Sequence, residues 1–248
     1  MPGKCEISLI LPAYNEVRRI AQAVQEAAKY FQDHGRDSEI IVSVSGDDGT
    51  REVVENLAKD YPTLKFTSCP QRLGKGHAVR CGVKLAEGEI IGYMDADGKT
   101  PIQEFAKFEP MLKDGHDLVI GSRRLPGSLV ECPQCLHRRL LGRSCVMLVH
   151  ALLGLHDIAD TQCGFKFLRR QAALDLFSRQ RVDGFMFDAE ILYLARKLGY
   201  RIAQIPIRWK DDGDSRLDFF RDNLRNLADI LRIRCAHAHL TKRVDRRS

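Results

Sequence analysis

Short apolar runs, each followed by a polar loop and then by apolar positions at helical spacing, dominate the first part of the chain. The run Ile7 to Leu11 leads into Pro12-Ala13-Tyr14-Asn15-Glu16, and helical periodicity follows from about Val17 to Phe31. Ile40 to Val44 predicts a second strand, Gly46-Asp47-Asp48-Gly49-Thr50 a turn and helix cap, and Arg51 to Tyr61 a helix. A third strand, Leu64 to Ser68, precedes Arg72-Leu73-Gly74-Lys75-Gly76 and a helix reaching about Ala86, and a fourth strand opens at Ile90. Strand and helix alternating at this spacing predict the α/β class, with a doubly wound, mostly parallel sheet flanked by helices. Ligands of such sheets bind beyond the carboxyl ends of the strands, so the polar loops are expected to converge on one crevice.

Further on, Asp117 to Gly121 predicts a strand ending at Ser122-Arg123-Arg124, and Leu136 to Leu153 a helical stretch. A polar segment, Asp160 to Lys166, is followed by a helix over Phe187 to Leu198 and a strand over Ile202 to Arg208. After Gly213-Asp214-Ser215-Arg216 the chain closes in a long amphipathic helix, with Leu217, Phe219, Phe220, Leu224, Leu227, Leu231 and Ile233 at roughly helical spacing. Residues 1–216 are expected to form the main domain and 217–248 an amphipathic helix with a basic tail. No internal repeat or flexible linker interrupts this order.

The chemistry concentrates where the fourth apolar run, Ile90 to Met94, stops at Asp95-Ala96-Asp97-Gly98. Alternate residues of a strand point the same way, so Asp95 and Asp97 present two hard oxygen ligands together, a pattern suited to Mg²⁺ or Mn²⁺ held against a substrate's phosphates. The same spacing also serves in ordinary turns, and position at a strand's carboxyl end beside the other loops favours the metal reading.

Composition narrows the setting. With 248 residues and 44% hydrophobic side chains, the chain can bury a substantial core. Its longest uncharged apolar stretch, about Ser144 to Leu155, is too short to span a bilayer, and no secretion-signal pattern opens the sequence, so a cytoplasmic protein is expected, at most peripheral on a membrane face. The eight cysteines lack a disulfide framework and are expected reduced; Cys132 and Cys135, with His137, lack the second ligand pair of a zinc site. Of the net charge of +6, a local +5 lies in residues 216–248, where nine Lys or Arg face four Asp. Such an end is solubilising or suits an anionic membrane surface; nucleic acid is not expected. The apolar faces of the helix near Leu140 to Leu153 and of the terminal helix suit core packing, a homodimer seam or a membrane interface.

Together these motifs resemble the family 2 glycosyltransferases, specifically the branch that makes dolichyl- or polyprenyl-phosphate hexoses. The resemblance covers about residues 7 to 217. It is carried by Leu11-Pro12-Ala13-Tyr14-Asn15-Glu16, Gly74-Lys75-Gly76 with Ala78-Val79-Arg80, Asp95-Ala96-Asp97-Gly98, Gly121-Ser122-Arg123, Asp160 to Lys166, Phe187-Asp188-Ala189-Glu190 and Gly213-Asp214-Ser215-Arg216-Leu217. It implies a GT-A-like fold and transfer of glucose or mannose, with inversion, from a UDP- or GDP-sugar to a polyprenyl phosphate. A soluble phosphorylated acceptor, or a non-catalytic nucleotide-sugar scaffold, is the alternative.

The resemblance also implies roles. Asp95 and Asp97 would hold the cation and Lys75 would approach the diphosphate, with Lys210 helping to close over it. Pro12, Tyr14, Asn15 and Glu16, with Ser45, Asp47 and Gln162, would face the nucleotide sugar; Asn15 and Glu16 equally suit a helix start. Relatives carry a paired aspartate at the end of the second strand, where this chain has Val44-Ser45, which leaves base and donor open. An acceptor phosphomonoester is already anionic near neutral pH and needs cations rather than a base. Ser122, Arg123, Arg138 and Arg139 would supply a clamp, with Ser215 and Arg216 in a lid, and Asp188 would orient sugar hydroxyls or act as base. Arg138 and Arg139 equally suit a solvated helix face.

Overall fold

In a computed structural model of the chain, residues 5–69, 71, 73–131, 146–210 and 219–240 are described. Arg72, Arg138, Arg139, Ser215, Arg216 and the whole 213–216 lid, together with Cys132, Cys135 and His137, lie outside them.

The apolar runs form the strands they predict: β1 (Ile7–Tyr14), β2 (Ser38–Ser45), β3 (Leu64–Cys69) and β4 (Ile90–Met94), joined by helices α1 (Ile20–Asp33), α2 (Thr50–Asp60) and α3 (Lys75–Leu85). A 3₁₀ turn (Ile102–Lys107) and α4 (Glu109–Lys113) lead to β5 (Leu118–Ser122) and a short β6 (Leu129–Glu131). Residues 146–153 are helical (α5). Then come β7 (Phe165–Arg169), α6 (Arg170–Arg179), α7 (Phe187–Leu198), β8 (Ile202–Pro206), β9 (Arg208–Lys210) and α8 (Phe219–Ala236).

Among the described residues seven strands form one sheet in the order β3-β2-β1-β4-β7-β5-β8, and β6 pairs with β9 in a separate ribbon. The pairings of β1, β2, β3 and β4 are parallel, as is that of β5 with β8; β7 alone runs antiparallel to both of its neighbours. The sheet is therefore mostly parallel, as expected, with one strand that the polar reading of 160–166 did not anticipate. The expected strand 202–208 is broken at Ile207 into β8 and β9.

Alternation along the buried strands divides the core. Ile10, Ile41, Ile91, Tyr93 and Leu168 pack under α3, α6 and α7, with Ile230 and Ile233 of α8 joining them. Leu9, Leu11, Val42, Met94, Phe165 and Phe167 pack on the other face against α1, α2, the 3₁₀ turn and α4. The helices show why they form. In α1 the buried positions Ile20, Ala23, Val24, Ala27, Tyr30 and Phe31 make one stripe. In α7, Asp188 and Glu190 sit in the first turn, Arg196 and Lys197 in the last, and Gly199 takes the left-handed conformation just beyond.

Candidate active site

The carboxyl ends of β1, β2 and β4 open on one side of the sheet. Because β7 is antiparallel and pairs Phe165 with Met94, its entry at Cys163-Gly164 reaches the same edge. The fit there is close: a Cβ on Gly164 would lie 2.2 Å from Asp95 Oδ2, so only glycine lets the β7 backbone come this near to the carboxylate.

Lys75, the first residue of α3, places Nζ 2.5 Å from Asp95 Oδ1 and 5.9 Å from the centre of the Phe187 ring. Burial would lower its pKa, but Asp95 foremost, then Asp188 and Asp97, holds the ammonium charged. Asp97, two residues beyond Asp95, accepts the Lys99 N–H at 3.1 Å, with Lys99 Nζ at 3.7 Å. Burial first, and the negative charge of Asp95 second, push its pKa up to about 6. Two mutually repelling carboxylates at a crevice form a hard-oxygen donor set for a divalent cation, so Asp95 and Asp97 fit the expected Mg²⁺ or Mn²⁺.

Behind the pair lies a buried triad. Asp188 Oδ1 accepts the Tyr93 hydroxyl at 2.7 Å and Lys166 Nζ at 2.5 Å, and Lys166 also donates to the Cys163 carbonyl at 2.5 Å. Lys166 is fully buried and Asp188 is 2% exposed. Both bonds fall on one oxygen, which fixes the carboxylate and leaves Oδ2 as its remaining acceptor. Lys166 carried no role in the sequence reading. The available signal was a lysine inside the apolar run Phe165-Lys166-Phe167-Leu168, since a buried ammonium requires a paired anion.

The first two loops are tied to each other. Asn15 has a φ of 53°, and its Oδ1 accepts the Asp47 N–H at 3.0 Å while packing where any Cβ on Gly46 would stand. Asp48 accepts the N–H groups of Val17 and Thr50, and Thr50 Oγ1 accepts the Glu16 N–H at 2.9 Å. Asp48 thus braces the loops, holding Tyr14 and Glu16 beside Ser45. Pro12 lies within β1 and Asp47 is exposed. A cleft between β2, β3 and α3 is lined by Ser43, Ser45, Thr67, Gly74, His77 and Cys81, and Ser43 Oγ is buried there without a partner among the described residues.

On the other side of Asp97, Arg123 makes a two-pronged ion pair with fully buried Asp160, Nε to Oδ2 at 2.7 Å and Nη2 to Oδ1 at 2.9 Å. Its own N–H and that of Gln162 also bond Asp160. Although burial alone would raise the Asp160 carboxyl, the Arg123 guanidinium holds it well below the usual carboxylate range. The guanidinium also lies 5.4 Å from the ring centre of Trp209, the chain's single tryptophan, with Lys99 Nζ 5.9 Å from the same ring. Ser122 is buried, its Oγ accepting the Arg124 N–H at 3.2 Å. Gln162 keeps Nε2 buried without a partner among the described residues. Lys210 has an exposed side chain, and its N–H donates to the Lys99 carbonyl at 2.9 Å, joining β9 to the loop after Asp97. The structure therefore gathers Asp95, Asp97, Lys75 and Asp188, sets Tyr14, Asn15, Glu16 and Ser45 at one flank, and places Ser122, Arg123 and Gln162 at the other.

Comparison with known proteins agrees with this architecture. A family model described as glycosyl transferase family 2 matches residues 8–177. A dolichyl-phosphate beta-glucosyltransferase of Trichomonas vaginalis is 35% identical over 227 residues, covering 87% of this chain and 67% of the relative. That of Saccharomyces cerevisiae is 30% identical, covering 93% and 75%. Among solved structures, glucosyl-3-phosphoglycerate synthase from Mycobacterium tuberculosis, in complex with Mn²⁺, UDP and phosphoglyceric acid, matches with a TM-score of 0.66 at 23% identity, covering 93% of this chain and 78% of that one, which shows a shared fold. A strand-end carboxylate pair, a glycine-flanked lysine and a mostly parallel sheet thus come together with a family match over most of the chain, which belongs to glycosyl transferase family 2.

Proposed function

We propose that the protein transfers glucose from a nucleotide-diphosphate donor, UDP- or GDP-linked, to a dolichyl-type polyprenyl phosphate. The observation that carries this reading is the contact between Lys75 and Asp95 beside Asp97, a cation and two carboxylates where a diphosphate leaving group would lie. The bond from the anomeric carbon to the donor phosphate breaks, its electron pair leaving with the nucleoside diphosphate. A phosphate oxygen of the acceptor forms the new bond on the opposite face. Asp95 and Asp97 would hold a divalent cation, which would supply positive charge against the departing diphosphate.

The chain's own groups do the rest. Lys75 binds the diphosphate from the α3 side. Asp188, fixed through Oδ1, offers Oδ2 to sugar hydroxyls, and because the acceptor is already an anion it need not remove a proton. Gln162 offers its unpartnered Nε2, and the cleft beside Ser43 and Ser45 takes the base. Lys210, on β9, helps to close over the diphosphate, excluding water from a donor that would otherwise hydrolyse. Ser122 and the Arg123–Asp160 pair shape the acceptor side, with Arg138 and Arg139 as further phosphate partners. The dolichyl-phosphate relatives support the lipid acceptor.

The test is a turnover screen of donors against acceptors with Mg²⁺ or Mn²⁺: release of UDP or GDP should rise when polyprenyl phosphate is added. A second reading, a soluble phosphorylated acceptor, is favoured by the phosphoglyceric acid bound to the structural relative. Among the described residues no helix is long and apolar enough to cross a membrane. Faster release with phosphoglycerate than with polyprenyl phosphate would select that reading, and no release with any donor would point to a binding scaffold.

A further inference from the structure

Helix α3 begins at Lys75 without a side-chain cap. Its seat is instead the turn 180–184. The Asp183 carbonyl accepts the His77 N–H at 3.2 Å and lies where a Cβ on Gly74 would be, at 2.2 Å. Gly76 is pressed against Phe187 and Gln180. This turn is held in its own right: Arg80 reaches Asp183 Oδ1 at 2.7 Å, and buried Glu190 accepts the N–H groups of Arg181 and Val182, each at 2.8 Å. The carboxylate has one more partner, His237 just beyond α8, whose Nε2 donates to Glu190 Oε1 at 2.7 Å with its side chain 4% exposed.

We infer that His237 is a positioning residue for the diphosphate-binding lysine. The connection runs from His237 to Glu190, from Glu190 to the 181–182 backbone, and from the Asp183 carbonyl to the first turn of α3. Docking of the C-terminal helix therefore fixes where Lys75 stands, although His237 touches neither Lys75 nor Asp95. The coupling is a property of the contacts themselves; its catalytic consequence rests on the function proposed for Lys75.

Amide hydrogen exchange on the full chain tests the coupling. His237→Leu fills the space but removes the donor. The amides of His77, Arg181 and Val182 should exchange at least tenfold faster, while Leu9 and Val42 in the sheet stay protected; His237→Gln, which restores an N–H at similar reach, should recover protection. In the unmodified protein, exchange in low urea should open the end of α8, residues 181–182 and His77 as one unit, a measurement that stands even where the leucine variant does not fold. Protection of His77 that persists while 181–182 lose theirs, or separate opening of these segments in urea, would overturn the inference. UDP titrated with Mn²⁺ then reads the consequence: affinity about tenfold weaker in His237→Leu, restored in His237→Gln, is expected. Unchanged affinity in His237→Leu alongside lost protection at His77 would overturn the positioning role. Coupled exchange in a wild-type protein that binds neither UDP nor GDP would uphold the coupling and reject the proposed function instead.

Discussion

Lys75 is held charged by the carboxylates it would help to balance against a diphosphate, so its removal should act on rate rather than on folding. Lys75→Ala is expected to lower donor turnover on the order of 10² to 10³-fold, the range found when a single charge-stabilising group is lost, with the thermal midpoint nearly unchanged. Asp97→Asn should likewise abolish metal-dependent release of nucleoside diphosphate while leaving the fold intact. Asp160 is the opposite case. It is fully buried and carries four hydrogen bonds, so Asp160→Ala strands the Arg123 charge; with a quarter of that side chain exposed, the loss should be about 3 kcal/mol in urea denaturation, the low end for a broken buried pair. The sign with pH follows from a folded carboxyl held below its unfolded value. Its stabilisation is complete above about pH 4 and is lost as pH falls from there toward the folded value, so acid unfolding should begin at a higher pH once Asp160 is replaced.

Among the elements, β1 to β4 were legible because apolar runs bounded by Gly, Pro, Asn and Asp leave little choice of structure. The carboxylate pair after β4 and the glycine-flanked lysine at the start of α3 were legible for the same reason: their places follow from the alternation of strand and helix. β7 was not, since its lysine, Lys166, reads as a solvent-facing residue until Asp188, on helix α7, is brought against it. Arg123 shows the same limit. Its charge suggested a phosphate ligand, and nothing local revealed that Asp160 would take two of its nitrogens. The helix α6 escaped notice because no cap or turn residue separates it from β7. Two glycines measure how tightly β7 is seated. A Cβ on Gly92 would meet the Phe167 ring at 2.2 Å, so Gly92→Ala should cost about 1 to 3 kcal/mol by overpacking, seen as a lower urea midpoint. Gly164→Ala meets Asp95 instead and should weaken Mn²⁺-dependent turnover more than it weakens the fold.

For the molecule as a whole, the basic end is the part to test against a membrane. A chain ending at Leu240 lacks Lys242, Arg243, Arg246 and Arg247 but keeps His237 on Glu190, so it removes the basic end without losing that contact. In flotation with anionic vesicles the full chain should bind more tightly, by about 1 kcal/mol for each basic residue that reaches the surface. Equal flotation of both forms would place the attachment elsewhere. The antiparallel strand carries a further consequence, for the order in which the chain assembles. β5 is made well before β7 but touches β4 only through it, so a growing chain that has emerged as far as residue 122 holds a four-stranded half-sheet and a strand with nowhere to dock. Until Phe165–Arg169 inserts, the backbone edge of β4 stays open to pairing with other chains. Release of about fifty more residues from the ribosome is thus the step that covers the exposed edge of β4, and the same insertion delivers Gly164 to Asp95.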